Sequence, residues 1–216
     1  TFPPRLMVTA DLAQALRDAE VIVAAIPSHG MRDVLRRAAP FVRTNVIVVS
    51  AAKGLEQQTL FRPSEIVQQE FDSRVRVSVL SGPSFASEMA RELPTAVCVA
   101  SADPQVVDTV QAGFRAPYFR LYGSHDVLGV EIGGALKNVI AIAAGVAEGL
   151  GLGQNAQAGL ITRGLAEIAR LACAAGAHRE TLAGLTGLGD LVLTCTGTLS
   201  RNRHVGLELA RGRSLP

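Results

Sequence analysis

Apolar residues follow two different rhythms along this chain. In the first half they gather into short Val- and Ile-rich runs at 21–26, 46–50, 75–80 and 96–100. Such runs suit parallel strands buried on both faces. Between them lie segments of helical spacing at 12–17, 31–39, 63–70 and 104–112. Asp11 and the pair Asp103-Pro104 are placed to start two of these helices. Strand–helix alternation of this kind predicts an α/β fold with a doubly wound parallel sheet. From about His125 the rhythm changes. The stretches 128–149 and 154–175 are rich in Ala, Leu, Ile and Gly and predict two long, largely buried helices. A Gly-dense stretch at 184–197 follows, and then a final helix at 201–211. The boundary between a sheet domain and an all-α domain falls near 122–127, giving domains of 1–124 and 125–216.

Composition narrows this picture little. With 48% hydrophobic and 19% charged residues, the 216-residue chain can bury a sizeable core. A formal charge of +2, without a Lys/Arg run, argues against nucleic acid as a partner. Cys98, Cys173 and Cys195 lie far apart, as expected of reduced thiols in a cytoplasmic protein rather than of disulfides or a zinc site. Lys137, Asn138 and glycines interrupt the apolar stretches, so no membrane insertion is expected. The chain starts Thr1-Phe2-Pro3-Pro4 without an initiator Met and stops abruptly at Arg213-Ser214-Leu215-Pro216, so it is expected to be a fragment.

The candidate chemistry lies where ligands of open parallel sheets bind, beyond the carboxyl ends of the strands. Those positions hold Pro27-Ser28-His29, Ala51-Ala52-Lys53-Gly54 and Ser81-Gly82-Pro83-Ser84-Phe85. Small residues there let a backbone approach a ligand closely. Lys137 sits mid-helix among small and apolar residues. Desolvation in such a place lowers an ammonium's pKa toward the range useful for proton transfer, whereas the plainer alternative is a lysine snorkelling to the surface. Asp190, in Leu188-Gly189-Asp190-Leu191, is a helix N-cap, a site residue, or both. Ser200 is placed to cap the last helix, leaving Arg201 and Asn202 in its first turn. A helix N-terminus beside a guanidinium suits a phosphate, the alternative being a solvated basic helix start. Lys53 reads equally as a ligand contact or a surface lysine, and His29 as structural. No histidine spacing suits a metal, and no G-x-S-x-G elbow is present, so neither metal nor acyl-transfer chemistry is expected.

Four segments in register resemble the bacterial-type NAD(P)-dependent glycerol-3-phosphate dehydrogenase family. They are Ser50-Ala51-Ala52-Lys53-Gly54-Leu55-Glu56, Leu80-Ser81-Gly82-Pro83-Ser84-Phe85-Ala86, the run from Gly133 to Asn138, and Gly187-Leu188-Gly189-Asp190-Leu191 continuing through Thr194-Cys195 to Ser200-Arg201-Asn202-Arg203. The resemblance implies a partial Rossmann domain followed by an all-α substrate domain. It also implies interconversion of sn-glycerol 3-phosphate and dihydroxyacetone phosphate with NAD or NADP, for glycerophospholipid synthesis. Carried over, it makes Lys137 the general acid/base at the C2 oxygen, with Asp190 orienting the reacting hydroxyl. Lys53, Gly82, Ser84, Asp190, Ser200, Arg201 and Asn202 become substrate contacts, and Lys53, Ala86 and Arg201 cofactor contacts. A homodimer is the expected state of the full-length parent. One departure stands out: no G-x-G-x-x-G turn precedes Val21, so the chain alone is expected to bind cofactor poorly. An inactive structural or regulatory remnant therefore stays open. So does a dehydrogenase of the 6-phosphogluconate or 3-hydroxyacid type, although those carry a Lys-x-x-x-Asn spacing and here Lys137 and Asn138 are adjacent.

Overall fold

A computed structural model describes residues 6–214. The Thr1–Pro4 start and the Leu215–Pro216 end, from which a fragment was expected, lie outside these residues. The element order is α1 (Leu12–Leu16), β1 (Val21–Ala24), α2 (Ser28–Ala38), β2 (Val46–Ser50), α3 (Pro63–Phe71), β3 (Val75–Ser81), α4 (Ala86–Met89), β4 (Thr95–Ala100), α5 (Pro104–Phe114) and β5 (Phe119–Ser124). Then come α6 (Val127–Gly149), α7 (Gly153–Ala174), α8 (Arg179–Ala183), a wide π-type turn at Leu185–Gly189, α9 (Asp190–Thr196) and α10 (Arg201–Ala210). Asp11 caps α1, accepting from the Ala13 and Gln14 amides, and Asp103 caps α5 through Gln105 N–H.

The five strands lie side by side in sequence order. β1, β2 and β3 are parallel, and so are β4 and β5, but β4 runs antiparallel to β3. The sheet is doubly wound, because alternate residues of its strands serve opposite faces. Val46, Val48 and Val75 pack with Met31, Leu35, Ile66 and Phe71 of α2 and α3. Ile47, Val49, Val97 and Val99 pack with Val106, Val107 and Val110 of α5.

Three expectations need correction. The run at 96–100 is a strand, but its direction is reversed; a fully buried apolar run has the same composition either way. β5 was not expected, because Arg120, Tyr122 and Gly123 break up its apolar pattern and leave only Phe119 and Leu121 buried. Finally, α7 is not largely buried: it keeps one apolar side on α6 and exposes much of the rest.

Reversal of β4 and β5 decides where α6 begins. β3 ends at the rim where the ligand loops lie, and Ser81 pairs with Cys98, so β4 and β5 run away from that rim. After β5, α6 starts over β3 and β4 and runs toward that rim. Val130 packs on Val79, Cys98 and Ala100, and Gly134 lies against Ser81 at the rim. By length and composition α6 could cross a membrane, with a mean hydropathy of 1.6. It instead packs on β3, α7, α9 and α10 and buries Glu131 and Lys137, as the core helix of the second half.

Candidate active site

Climbing along the sheet brings Lys137 to the floor of a cleft of about 760 Å³ between the strand rim and α10. Lys137 is 7% exposed, so it does not snorkel. Nζ donates to Asp190 Oδ1 at 2.5 Å and to Thr194 Oγ1 at 2.8 Å. Asp190 opens α9 and is 1% exposed; Gly189 stands before it, and its carboxylate accepts from side chains rather than capping the helix. The other oxygen, Oδ2, accepts from Lys53 Nζ at 2.6 Å. Lys53 Nζ also donates to the Gly82 carbonyl at 3.1 Å. One carboxylate is thus shared by two ammonium groups from opposite halves of the fold, leaving the cluster one positive charge in excess.

Burial, and then the Lys53 charge, lower the Lys137 pKa from its ordinary 10.5 to about 8, against the opposing pull of Asp190. An amine with such a pKa donates and accepts a proton near neutrality.

The remaining expected residues surround the same space. Ser84 and Ala86 reach the cleft from the loop and short helix after β3, with Ser84 Oγ donating to the Gly82 carbonyl at 3.1 Å. Ser200, Arg201 and Asn202 reach it from the start of α10. Ser200 caps that helix, its Oγ accepting from Arg203 N–H at 3.2 Å. The Arg201 and Asn202 amides, in the first turn, have no intrahelical acceptor. Arg201 is exposed at the mouth, whereas Arg203 turns away to pair with Glu148 at 2.7 Å. Gly82 and Asp190 lie one layer beneath the surface lining. At the other end the cleft is walled by small residues after β1 and β2, among them Ala25, Ser28, Ala51 and Ala52. Cationic groups at one end and small side chains at the other fit an elongated ligand pair with a phosphate.

Two participants were not among the expected site residues, although both lie in the segments that carry the resemblance. Thr194 takes a hydrogen bond from Lys137 and donates to the Asp190 carbonyl at 2.6 Å. Its i, i+4 spacing from Asp190 was the available signal, hidden because the Gly-rich stretch does not look helical. Asn138 Oδ1 accepts from Asn202 Nδ2 at 2.8 Å and ties the lysine's helix to the start of α10.

These features define a class: a Rossmann-like mixed sheet joined to a helical half, with a lysine–aspartate site at the junction. Comparison with known proteins narrows it. Residues 1–107 match the N-terminus, and residues 126–216 the C-terminus, of NAD-dependent glycerol-3-phosphate dehydrogenase. Curated relatives bearing the name glycerol-3-phosphate dehydrogenase [NAD(P)+] include one from Koribacter versatilis, 51% identical over 100% of this chain and 64% of its own length. Another, from Myxococcus xanthus, is 52% identical over 98% and 64%. A solved glycerol-3-phosphate dehydrogenase of Coxiella burnetii superposes with a TM-score of 0.94 at 42% identity, covering 99% of this chain and 65% of that one. The yeast enzyme gives a TM-score of 0.86 at 31% identity, over 99% and 64%. The chain belongs to the NAD-dependent glycerol-3-phosphate dehydrogenase family. It spans about 64% of the length of the curated relatives it matches.

Proposed function

We propose that the complete protein interconverts sn-glycerol 3-phosphate and dihydroxyacetone phosphate with NAD or NADP, serving glycerophospholipid synthesis, and that this chain carries its proton-transfer and phosphate-binding residues. The observation that carries this reading is the single buried carboxylate of Asp190 shared by Lys137 and Lys53 at the floor of the cleft.

In carbonyl reduction, Lys137 gives its proton to the C2 oxygen as negative charge develops there; in alcohol oxidation the neutral amine takes it back. Asp190 and Thr194 fix the direction of the ammonium. Lys53 adds a second positive charge beside the developing oxyanion. The Ser200–Asn202 turn, with Arg201, holds the phosphate and so positions C2 against Lys137. Gly82 and Ser84 line the carbon chain. When bound, the nicotinamide group supplies the hydride; Lys53, Ala86 and Arg201 are the residues here that would hold it. In this reading 1–124 is the dinucleotide-binding part and 125–216 the substrate part, supported by the separate N- and C-terminal matches. A cytoplasmic homodimer completes it, the location supported by the free cysteines Cys98, Cys173 and Cys195.

The test is an assay of the complete protein with dihydroxyacetone phosphate and each nicotinamide cofactor. Turnover with one of them is expected. Absence of both turnover and phosphate-substrate binding would leave the structural or regulatory remnant instead.

A further inference from the structure

We propose that Glu131 is a positioning residue, holding the Lys53 loop in register with the Lys137 helix across the junction of the two halves. The proposal rests on the roles given above to the two lysines. Glu131 lies on α6, six residues before Lys137, and is 7% exposed. Its Oε1 accepts from Ser64 N–H at 2.7 Å, and Oε2 accepts from Ser64 Oγ at 2.7 Å and Arg62 Nη1 at 2.8 Å. Arg62 is the N-cap of α3 and Ser64 lies in its first turn, which directly ends the loop carrying Lys53. A second carboxylate, Glu65, pairs with Arg62 and keeps its guanidinium facing α6.

The spacing explains the reach of this clamp. Glu131, Gly134 and Lys137 follow one another three residues apart and so wind along one side of α6. Glu131 meets the end of the Lys53 loop. A Cβ at Gly134 would come within 2.7 Å of Ser81 Oγ and 3.7 Å of the Lys53 stem. Lys137 meets the carboxylate that Lys53 also holds. Three consecutive contacts thus index the loop against the helix, and only the first is distant from the reacting groups.

Its cost in a merely structural role would be hard to account for. Burial pushes the Glu131 carboxyl pKa up, and the Ser64 and Arg62 contacts pull against it. What it secures is the distance between Lys53 and Lys137. The charged and titratable groups around Lys137 are Asp190 and Cys195 from α9 and Lys53 from the loop. If the loop slackens, Lys53 withdraws, Asp190 answers Lys137 alone, and the amine becomes more basic.

The experiment compares Glu131→Gln with wild type in the complete protein. kcat for dihydroxyacetone phosphate is expected to fall about ten- to hundredfold, the effect of small misplacement, with KM changed less than about threefold. The Lys137 titration, followed by NMR of its 15N-labelled amine, is expected to move above its wild-type value of about 8. Ser64→Ala, which removes one of the three bonds and leaves the charge pair, is expected to give a smaller effect of the same sign, and decides the matter if the Gln variant does not fold. A lowered melting temperature with kcat and the Lys137 titration both unchanged would overturn the proposal. Should wild type itself not turn over dihydroxyacetone phosphate, the functional reading fails, and the amine titration still decides whether Glu131 sets the register.

Discussion

Lys137 combines a buried ammonium with a shared counter-ion, and its protonation state sets the direction of the chemistry. With a pKa of about 8, the protonated acid needed for carbonyl reduction is present below that pH and lost above it. The rate of reduction should therefore be level at low pH and fall as pH rises through about 8, while alcohol oxidation rises through the same value. Measuring kcat/KM in both directions checks whether the two limbs coincide. Lys137→Ala should lower turnover by about 10²–10⁴-fold, the usual worth of a general acid or base, with cofactor binding by fluorescence titration unchanged. Arg201→Ala should instead raise KM for the phosphorylated substrate by about ten- to hundredfold, as expected for a charged hydrogen bond worth about 1.5–3 kcal/mol. An unaltered KM would remove Arg201 from the phosphate. At this scale, the sequence exposed Lys137 and Asp190 because charges stand out among small apolar residues. The contacts of Thr194 and Asn138 were not legible, since they depend on helix phase and on partners more than fifty residues away.

Helix α10 owes its position to its crossing with α6. Gly206 and Gly145 face each other so closely that a Cβ on Gly206 would lie 2.0 Å from the Ile142 carbonyl oxygen, and one on Gly145 2.0 Å from that of Arg203. Gly206→Ala should force the helices apart and destabilise the fold by about 1–3 kcal/mol, read as a lower midpoint in denaturant. Because the start of α10 moves with it, KM for the phosphorylated substrate should suffer more than kcat. The elements themselves were largely readable: Val and Ile runs marked β1 to β4, and Asp11, Asp103 and Ser200 marked three helix starts. Strand direction was not readable, because burial on both faces erases the alternation that would distinguish neighbours. The π-type turn before Asp190 was hidden by its glycines, which resemble a loop in any composition-based reading.

The molecule as a whole is joined through α6, which touches β3 in one half and α7, α9 and α10 in the other. Native-state hydrogen exchange should accordingly find the slowest amides of the second half in the stretch 130–144 of α6, where Val130, Lys137, Ala141 and Ala144 are buried. Faster exchange there than in the exposed α7 would contradict this arrangement. The order of sheet first and helices second was visible from the change of rhythm near His125; the turning back of β4 and β5 was not. That reversal has a consequence for insertions and deletions. Since Val130 is fixed against Val79, Cys98 and Ala100, the count of residues from Val130 to Lys137 works like a ruler. One inserted residue would swing the lysine by about 100° and advance it about 1.5 Å. Its ammonium would then point away from Asp190 although no side chain had been lost. Length variation should be tolerated instead in the turn at 150–152, which no reacting group has to count across.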